Sequence, residues 1–460
     1  MRTRTLVILA VLACALVAAW WSVRSRGPAG ASVERRASLF AVDEIPLERV
    51  DRVEVARRGA PLLAFARGAD GWMQDAPFPH PADPAAIREV IDVAASLAAS
   101  RAVDPASIDP EARAALGLEP PAATVRLAWP GGERSVELGR RTIAGRAWAR
   151  VAGRAEAASV DASLHELAVE GDARQWRLRR LHEPGTADIG AIELRYGAAP
   201  GQRLSIRRAG GKWSIDAPVA TRADAEAVRG YVEAISRAEA DAFAADSPGD
   251  LAPFGLAAPE RGVRLDRAGA AAGDAPAGLI DVGSPVAEGA PERFARVMSR
   301  PTVVQVGAKA LAALFPPPAF FVDPRGCDAV QADVRSVEFV PFAAEGAARP
   351  AGWRLERALD AWSLVLPGGE RIAADGERAR RLLAQLCEAR APAVAFQRMP
   401  DALRIGEFVL SGAGGAALAT VRVAHEPDGQ WALDGGDDVL RVFPAGFDLA
   451  TDAAPYAGSR

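Results

Sequence analysis

The sequence predicts an α+β fold in which an N-terminal transmembrane helix is followed by tandem repeated modules, each with an antiparallel sheet and one amphipathic helix. The first observation behind this prediction is a repeat: GWMQDAP at residues 71–77 returns as KWSIDAP at 212–218 and, more loosely, as AWSLVLP at 361–367. The second is an unbroken apolar run from Leu6 to Trp21. Internal repetition on this scale indicates one supersecondary unit used several times.

The apolar run is long enough to cross a bilayer. A helix over residues 5–23 would span roughly 28 Å, close to the hydrocarbon core of about 30 Å. We therefore expect a membrane anchor at residues 1–23 and a connector at 24–43. A cleaved signal peptide and a lipoprotein signal ending at Cys14 are the alternatives. Arginines flank the run on both sides, so the positive-inside rule does not decide its orientation. The expected location is the inner (cytoplasmic) membrane, with a single pass and an extracytoplasmic C-terminal region.

The rest of the chain divides into three predicted modules, at residues 44–182, 188–324 and 331–460. In each, an Asp follows the tryptophan segment and precedes apolar residues spaced three and four apart, which indicates an amphipathic helix. Asp83, which is followed by Pro84, fits an N-cap. A Gly-Leu turn followed by proline occurs in the first two modules, and its absence from the third makes that module degenerate. The aspartates are Asp83, Asp224 and Asp375, and the stripes are Ile87, Val90, Ile91, Ala94 and Leu97; Val228, Tyr231, Val232 and Ile235; and Ala379, Leu382, Leu383, Leu386 and Cys387.

Composition excludes one large class of partner. The formal net charge is -4, so the chain has no overall basic field that would attract nucleic acid. Its hydrophobic content of 50% and charged content of 25% suit folded modules with sizeable cores. Three cysteines do not make a disulfide scaffold. Cys14 lies in the predicted anchor, and Cys327 and Cys387 either pair or stay buried as free thiols, with the free state favoured.

No catalytic, cofactor or metal site is predicted. The four histidines, His80, His165, His182 and His425, lack metal-ligand spacing, and no HExxH or CxxC motif occurs. Asp161, Ser163 and His165 superficially resemble a triad, but residues this close on one helix do not usually form one. The glycines at 412–415 are followed by a strand-like run, so they indicate a hairpin turn and not a phosphate loop. Aspartates within 434–438 could bind calcium, although a hairpin tip is the better interpretation.

The repeated tryptophans allow two interpretations. Exposed indole faces could stack on sugars, which would indicate a glycan- or peptidoglycan-binding protein. Alternatively, each tryptophan could close the core of its own module where a strand passes into a loop. A residue that recurs at the same structural place in every copy more often serves packing, and we favour the core interpretation for Trp72, Trp213 and Trp362.

The chain resembles the DUF4340 family of bacterial membrane-anchored proteins. The resemblance rests on the apolar N-terminus, on LERVDRVEV at residues 47–55, on the Trp72 and Trp213 segments and on the two Gly-Leu turns. It covers the first two modules, and the third departs from the pattern. The resemblance implies no catalytic residues, and it implies an accessory role beside a gliding-motility-associated ABC-type transport system.

These observations lead to three functional hypotheses. The first is a non-enzymatic, membrane-anchored envelope protein that acts as an interaction or accessory subunit beside ABC-type transporter subunits. The second is a glycan- or peptidoglycan-binding envelope protein. The third is a hydrolase whose site is assembled from Asp, Glu and His residues scattered between the modules.

Overall fold

The computed structural model describes residues 37–41, 44–142, 145–182, 188–271, 273–343, 351–359 and 361–458. The chain forms two compact units that divide after Leu178. The predicted anchor at 1–23 lies outside the described residues, as does most of the connector at 24–43. In the part of the chain that is described, none of the helices has the length and apolar character needed to span a bilayer.

The first unit contains a nine-stranded antiparallel sheet. Strands that are adjacent in sequence are mostly adjacent in space, so the sheet is a series of hairpins with a few longer connections. A short pair, Ala37–Ser38 with Ala98–Ala99, forms a separate two-stranded sheet. In spatial order the strands are His80–Pro81, Gly71–Ala76, Leu63–Gly68, Arg52–Arg57, Ala123–Trp129, Gly132–Thr142, Arg146–Val151, Ala157–Asp161 and Arg101–Val103.

The second unit contains two more nine-stranded sheets with the same strand order. The second sheet consists of Thr221–Arg222, Lys212–Ala217, Arg203–Ala209, Ile189–Arg195, Arg261–Arg267, Gly278–Pro285, Arg293–Val297, Val303–Val306 and Ala242–Ala245. The third consists of Arg371–Ala373, Ala361–Val365, Trp353–Ala358, Ser336–Pro341, Arg404–Ser411, Ala417–His425, Trp431–Asp434, Leu440–Phe443 and Ala393–Ala395.

The predicted α+β class is wrong, because the described residues are mainly antiparallel sheet and contain few helices. The transmembrane helix that opened that prediction has no counterpart among the described residues. The sequence patterns indicated only part of each sheet. Short segments such as Ala157–Asp161 become strands because neighbouring strands bond to their backbone on both sides.

Each sheet is accompanied by one helix of twelve residues, in agreement with the predicted positions: Pro84–Ala95, Ala225–Ser236 and Gly376–Cys387. Each begins after an aspartate whose carboxylate accepts a backbone N–H 2.9 Å away, and each buries the predicted apolar stripe on its own sheet. The shorter helices are Pro110–Leu116, Ser163–His165, which continues as a π-helical turn at Glu166–Glu170, and Ala308–Leu314.

A second repeated hydrogen bond fixes the start of each long helix. The backbone N–H of the capping aspartate donates to the carbonyl of an aromatic residue that ends a 3-10 turn far along the chain. The distances are 2.8 Å for Asp83 to Trp176, 2.8 Å for Asp224 to Phe321 and 2.9 Å for Asp375 to Tyr456. All three aromatic side chains are buried. No local motif in the sequence marks this hydrogen bond, so it could not be predicted.

The Gly-Leu turns of the first two modules are required by backbone geometry. Gly117 and Gly255 end their turns in the left-handed region, at φ 67° and 66°. Each turn also packs so closely against a neighbouring strand that a Cβ on Gly139 or Gly283 would collide with a carbonyl of the turn. Glycine is therefore needed on both sides of this contact.

Candidate functional site

The repeated tryptophans lie mostly within their modules. Trp72 and Trp362 are buried, and Trp213 is half-buried with the guanidinium of Arg208 6.0 Å from its ring centre. In all three modules the tryptophan carbonyl accepts a hydrogen bond from the residue before the capping aspartate, at 2.8 to 3.1 Å. The indoles thus close the modules where a strand passes into the helix, and the buried two offer no face for sugar stacking.

The histidines do not converge. His80 and His165 are buried in the first unit, whereas His182 and His425 belong to the second. His80 Nδ1 lies 2.7 Å from the carbonyl oxygen of Pro81, and His425 packs on Trp431 with ring centres 4.7 Å apart. Across the described residues, no group of three or more His, Cys, Asp or Glu side chains is arranged to hold a metal ion.

The triad-like segment has a local structural role. Asp161 Oδ1 accepts the backbone N–H of Ser163 at 2.9 Å, so this carboxylate caps the turn. His165 Nδ1 lies 3.4 Å from the carboxylate of Glu170. The acid of the supposed triad is therefore directed at backbone, and the histidine faces a different acid.

The two loops considered for phosphate and calcium are turns between strands. Ala413–Gly415 form a 3-10 turn that joins Arg404–Ser411 to Ala417–His425, and no helix follows the glycines. In the other loop, fully buried Asp434 accepts the backbone N–H groups of Gly436 and Asp437 and pairs with Arg422 at 3.1 Å. The Asp434 carboxylate is therefore engaged by groups of the protein itself.

A largely buried polar cluster joins the second sheet to the third. Arg441, on the third sheet, is fully buried, and its two terminal nitrogens donate to Asp437 at 2.7 and 2.8 Å. Asp437 Oδ2 also accepts the hydroxyl of Thr221, from the second sheet, at 2.5 Å. Arg441 Nε donates to the backbone carbonyl of Asp323 at 3.0 Å. We call these four residues the ionic junction.

The segment between the two sheets extends this junction. Buried Asp323 binds Arg325 through both oxygens, at 2.9 and 2.8 Å, and lies 3.4 Å from Arg222. Nearby, Arg390 of the third module pairs with Asp224, the cap of the second helix. A groove of about 560 Å³ opens beside this pair, and Phe320 on its wall is 46% exposed.

Charge pairing dominates the electrostatics of this region. Burial alone would raise the pKa of Asp437, but hydrogen bonds from Arg441 and Thr221 outweigh it and hold the pKa below its usual value. For Asp224 too, burial acts upward, while Arg390 and backbone N–H groups bring the pKa below normal. Both carboxylates are therefore ionised and saturated near neutral pH, which suits a structural role better than proton transfer.

Family comparison follows the repeat. The model of a domain of unknown function, DUF4340, matches the chain twice, over residues 72–216 and 213–404. The chain belongs to the DUF4340 family. Searches of the curated proteins and of the solved structures found no match. Each DUF4340 match begins at a repeated tryptophan, Trp72 or Trp213, and the structure shows that these tryptophans hold equivalent places in successive sheets.

The two described cysteines of this DUF4340 protein lie together. Cys327 and Cys387 are buried free thiols with their Sγ atoms 3.4 Å apart, and the backbone N–H of Cys327 donates to the carbonyl of Leu386 at 3.0 Å. The hydrogen bond with Cys327 and burial both raise the pKa of Cys387. The spacing of these cysteines in the sequence did not predict that they would meet, because helix end and connector come together only in the folded chain.

Proposed function

We propose that this DUF4340 protein is a non-enzymatic interaction or accessory subunit of the bacterial envelope, located at the cytoplasmic membrane beside an ABC-type transport system. The observation that carries the proposal is the way its polar groups are used. In the described residues the buried carboxylates of the ionic junction are saturated by arginines, and the histidines are dispersed. Three sheets of one plan offer large surfaces instead of one reactive cleft.

The ionic junction supports the interaction role, since it fixes two modules to each other with buried, directional bonds. Buried ion pairs contribute little net stability compared with apolar packing, but they penalise wrong arrangements because an unpaired buried charge is costly. A defined arrangement of two sheets is what a binding partner would need to recognise both. The transport association itself comes from the family resemblance.

Affinity capture tests this proposal. The tagged full chain would be isolated from mild-detergent extracts of its own host, with an untagged strain as control, and captured proteins identified by mass spectrometry. We expect permease and ATPase subunits of a transporter. The variant D437N should lose these partners while D438N, at an exposed neighbouring carboxylate, should retain them.

Two other results would contradict the proposal. Robust turnover of an envelope substrate by the purified chain would favour the hydrolase hypothesis. Co-sedimentation with peptidoglycan, with no transporter subunits captured, would favour glycan binding. The buried state of Trp72 and Trp362 weighs against that outcome.

A further inference from the structure

A cleft of about 650 Å³ lies in the second sheet, away from the residues of the ionic junction. Two arginines line it, Arg261 and Arg293, from strands Arg261–Arg267 and Arg293–Val297. Tyr196, Gln202, Ser284 and the exposed Glu260 are the other polar residues of the lining, and the rest of it is glycine, alanine and valine. All of these residues belong to the second module, so a single folded sheet builds the whole cleft.

The two arginines carry positive charge that the described protein does not neutralise. Most arginines of the second sheet pair with an acid, as Arg195 does with Asp281 at 2.8 Å. By contrast, neither Arg261 nor Arg293 forms an ion pair with any described carboxylate. Within the described part of the chain, the side chain of Arg293 donates a hydrogen bond to the carbonyl of Gly283 at 2.8 Å. Such a pair of like charges in one partly buried cleft is unfavourable unless something binds them.

Arg261 is the more constrained of the two. Its guanidinium lies 4.5 Å from the ring centre of Phe315, and its Nε is buried with no hydrogen-bond partner among the described residues. A buried donor without a partner costs free energy, and such groups in native structures call for a specific explanation. Burial and the charge of Arg293 both lower the pKa of Arg261. An anion in the cleft would offset the repulsion between the two guanidinium groups.

The fold does not need these arginines. The strand pairing shows which residues are equivalent in the three sheets. Val263 pairs with Ile280 in the second sheet as Val125 pairs with Val136 in the first. By this alignment, Ala123 and Ala147 of the first sheet are equivalent to Arg261 and Arg293. The same alignment in the third sheet gives Gly406 and Trp431. Small or apolar side chains therefore serve two of the three sheets, so the arginine pair is a feature added to the second sheet alone.

We propose that Arg261 and Arg293 bind an oxyanion group, a phosphate or a carboxylate, carried by a ligand that enters this cleft. Planar guanidinium groups donate two parallel hydrogen bonds to such groups, and the charge on both partners makes these bonds stronger than neutral ones. Ser284 and Gln202 supply further polar atoms from the same lining. Glu260 opposes the anion and limits the net positive charge of the cleft. This inference stands apart from the proposed interaction role and does not depend on it.

Titration calorimetry on the purified full chain tests the proposal, with inorganic phosphate and succinate as probes and sodium chloride at matched ionic strength as the blank. We expect saturable binding of at least one probe. R261Q and R293Q should each weaken it about tenfold or more, the effect of losing a charged hydrogen bond. E260Q should tighten it several-fold, because it removes the opposing charge. The tighter of the two probes identifies the oxyanion as phosphate or carboxylate.

R264Q is the matched control. Arg264 lies on the same strand as Arg261, three residues along and therefore on the opposite face, and it pairs with Asp266 at 3.0 Å. Its loss should leave probe binding unchanged. The proposal is overturned if neither probe binds the wild-type chain, or if R264Q weakens binding as much as R261Q. Because R293Q alters a different strand, misfolding of one variant would leave the other as a test.

Discussion

The first and second sheets share a plan and differ in what they add to it. Both have the same strand order, an aspartate cap on a twelve-residue helix and a distant aromatic carbonyl that receives the cap's N–H. Where the first sheet has Ala123 and Ala147, the second has Arg261 and Arg293. The comparison separates the positions that form the fold from those that are free to acquire a function.

The third sheet shows how little of the repeat the fold requires. It lacks the Gly-Leu turn, and its tryptophan segment is only loosely similar, yet its nine strands follow the same order. It is also joined to the second sheet by the ionic junction. We expect the following changes to distinguish shared positions from specialised ones, beginning with the largest effect.

Asp437→Asn should have the largest effect, because it leaves Arg441 fully buried without its bidentate partner. Removing one member of a buried pair typically costs about 3–5 kcal/mol. In urea unfolding of the full chain, the part that contains the second and third sheets should unfold at a lower urea concentration in the variant than in wild type. Asp438→Asn is the control, since Asp438 is exposed and lies 3.9 Å from Arg422; its change should stay within about 0.5 kcal/mol.

The contribution of Asp437 to the free energy of unfolding should decrease in acid. Its pKa is held below the usual value of 3.8 in the folded chain, so its stabilisation is fully present above about pH 4 and is lost as pH falls through the lower folded pKa. The difference in unfolding free energy between wild type and D437N should therefore shrink in acid. A difference that stays constant down to pH 2 would show that the Asp437–Arg441 pair is not the source.

The helix caps should give intermediate effects. Asp83→Ala and Asp375→Ala should each cost about 1 kcal/mol, the usual contribution of an N-cap. Asp224→Ala should cost more, because Asp224 also pairs with Arg390 across the two modules of its unit. Urea unfolding of the three variants under the same conditions measures the ranking. Equal effects at all three positions would mean that the Asp224–Arg390 pair adds nothing.

Arg261→Met should have the smallest effect on stability, and it should stabilise the protein, unlike the changes above. A methionine can still cover the ring of Phe315, while the repulsion with Arg293 and the unpartnered buried Nε are removed. We expect a melting temperature slightly above that of wild type in buffer without phosphate or carboxylate. Arg264→Met, which breaks a pair with Asp266, should not raise it. A lower melting temperature for Arg261→Met would show that the arginine stabilises the sheet by itself.

The sequence by itself determined the repeat, the three helices and the aspartate that precedes each of them. These features depend on residues close in the chain: an aspartate hydrogen-bonds N–H groups two or three residues away, and an apolar stripe follows the helical period. The tryptophan segments and glycine turns are local in the same sense. The balance of the fold was not determined in this way, since short strands such as Ala393–Ala395 and Arg101–Val103 depend on partners far along the chain.

Only the tertiary structure decided which polar residues act together. Thr221 and Asp437 are 216 positions apart, and Arg261 and Arg293 reach one cleft from separate strands. Each of these residues looks ordinary in the sequence, because arginines and aspartates are frequent on exposed strands. Whether each residue is buried, and whether it pairs with a described carboxylate, is decided only when the sheets are assembled. Local sequence preferences thus determine the repeated scaffold, whereas long-range packing determines the ionic junction and the arginine cleft.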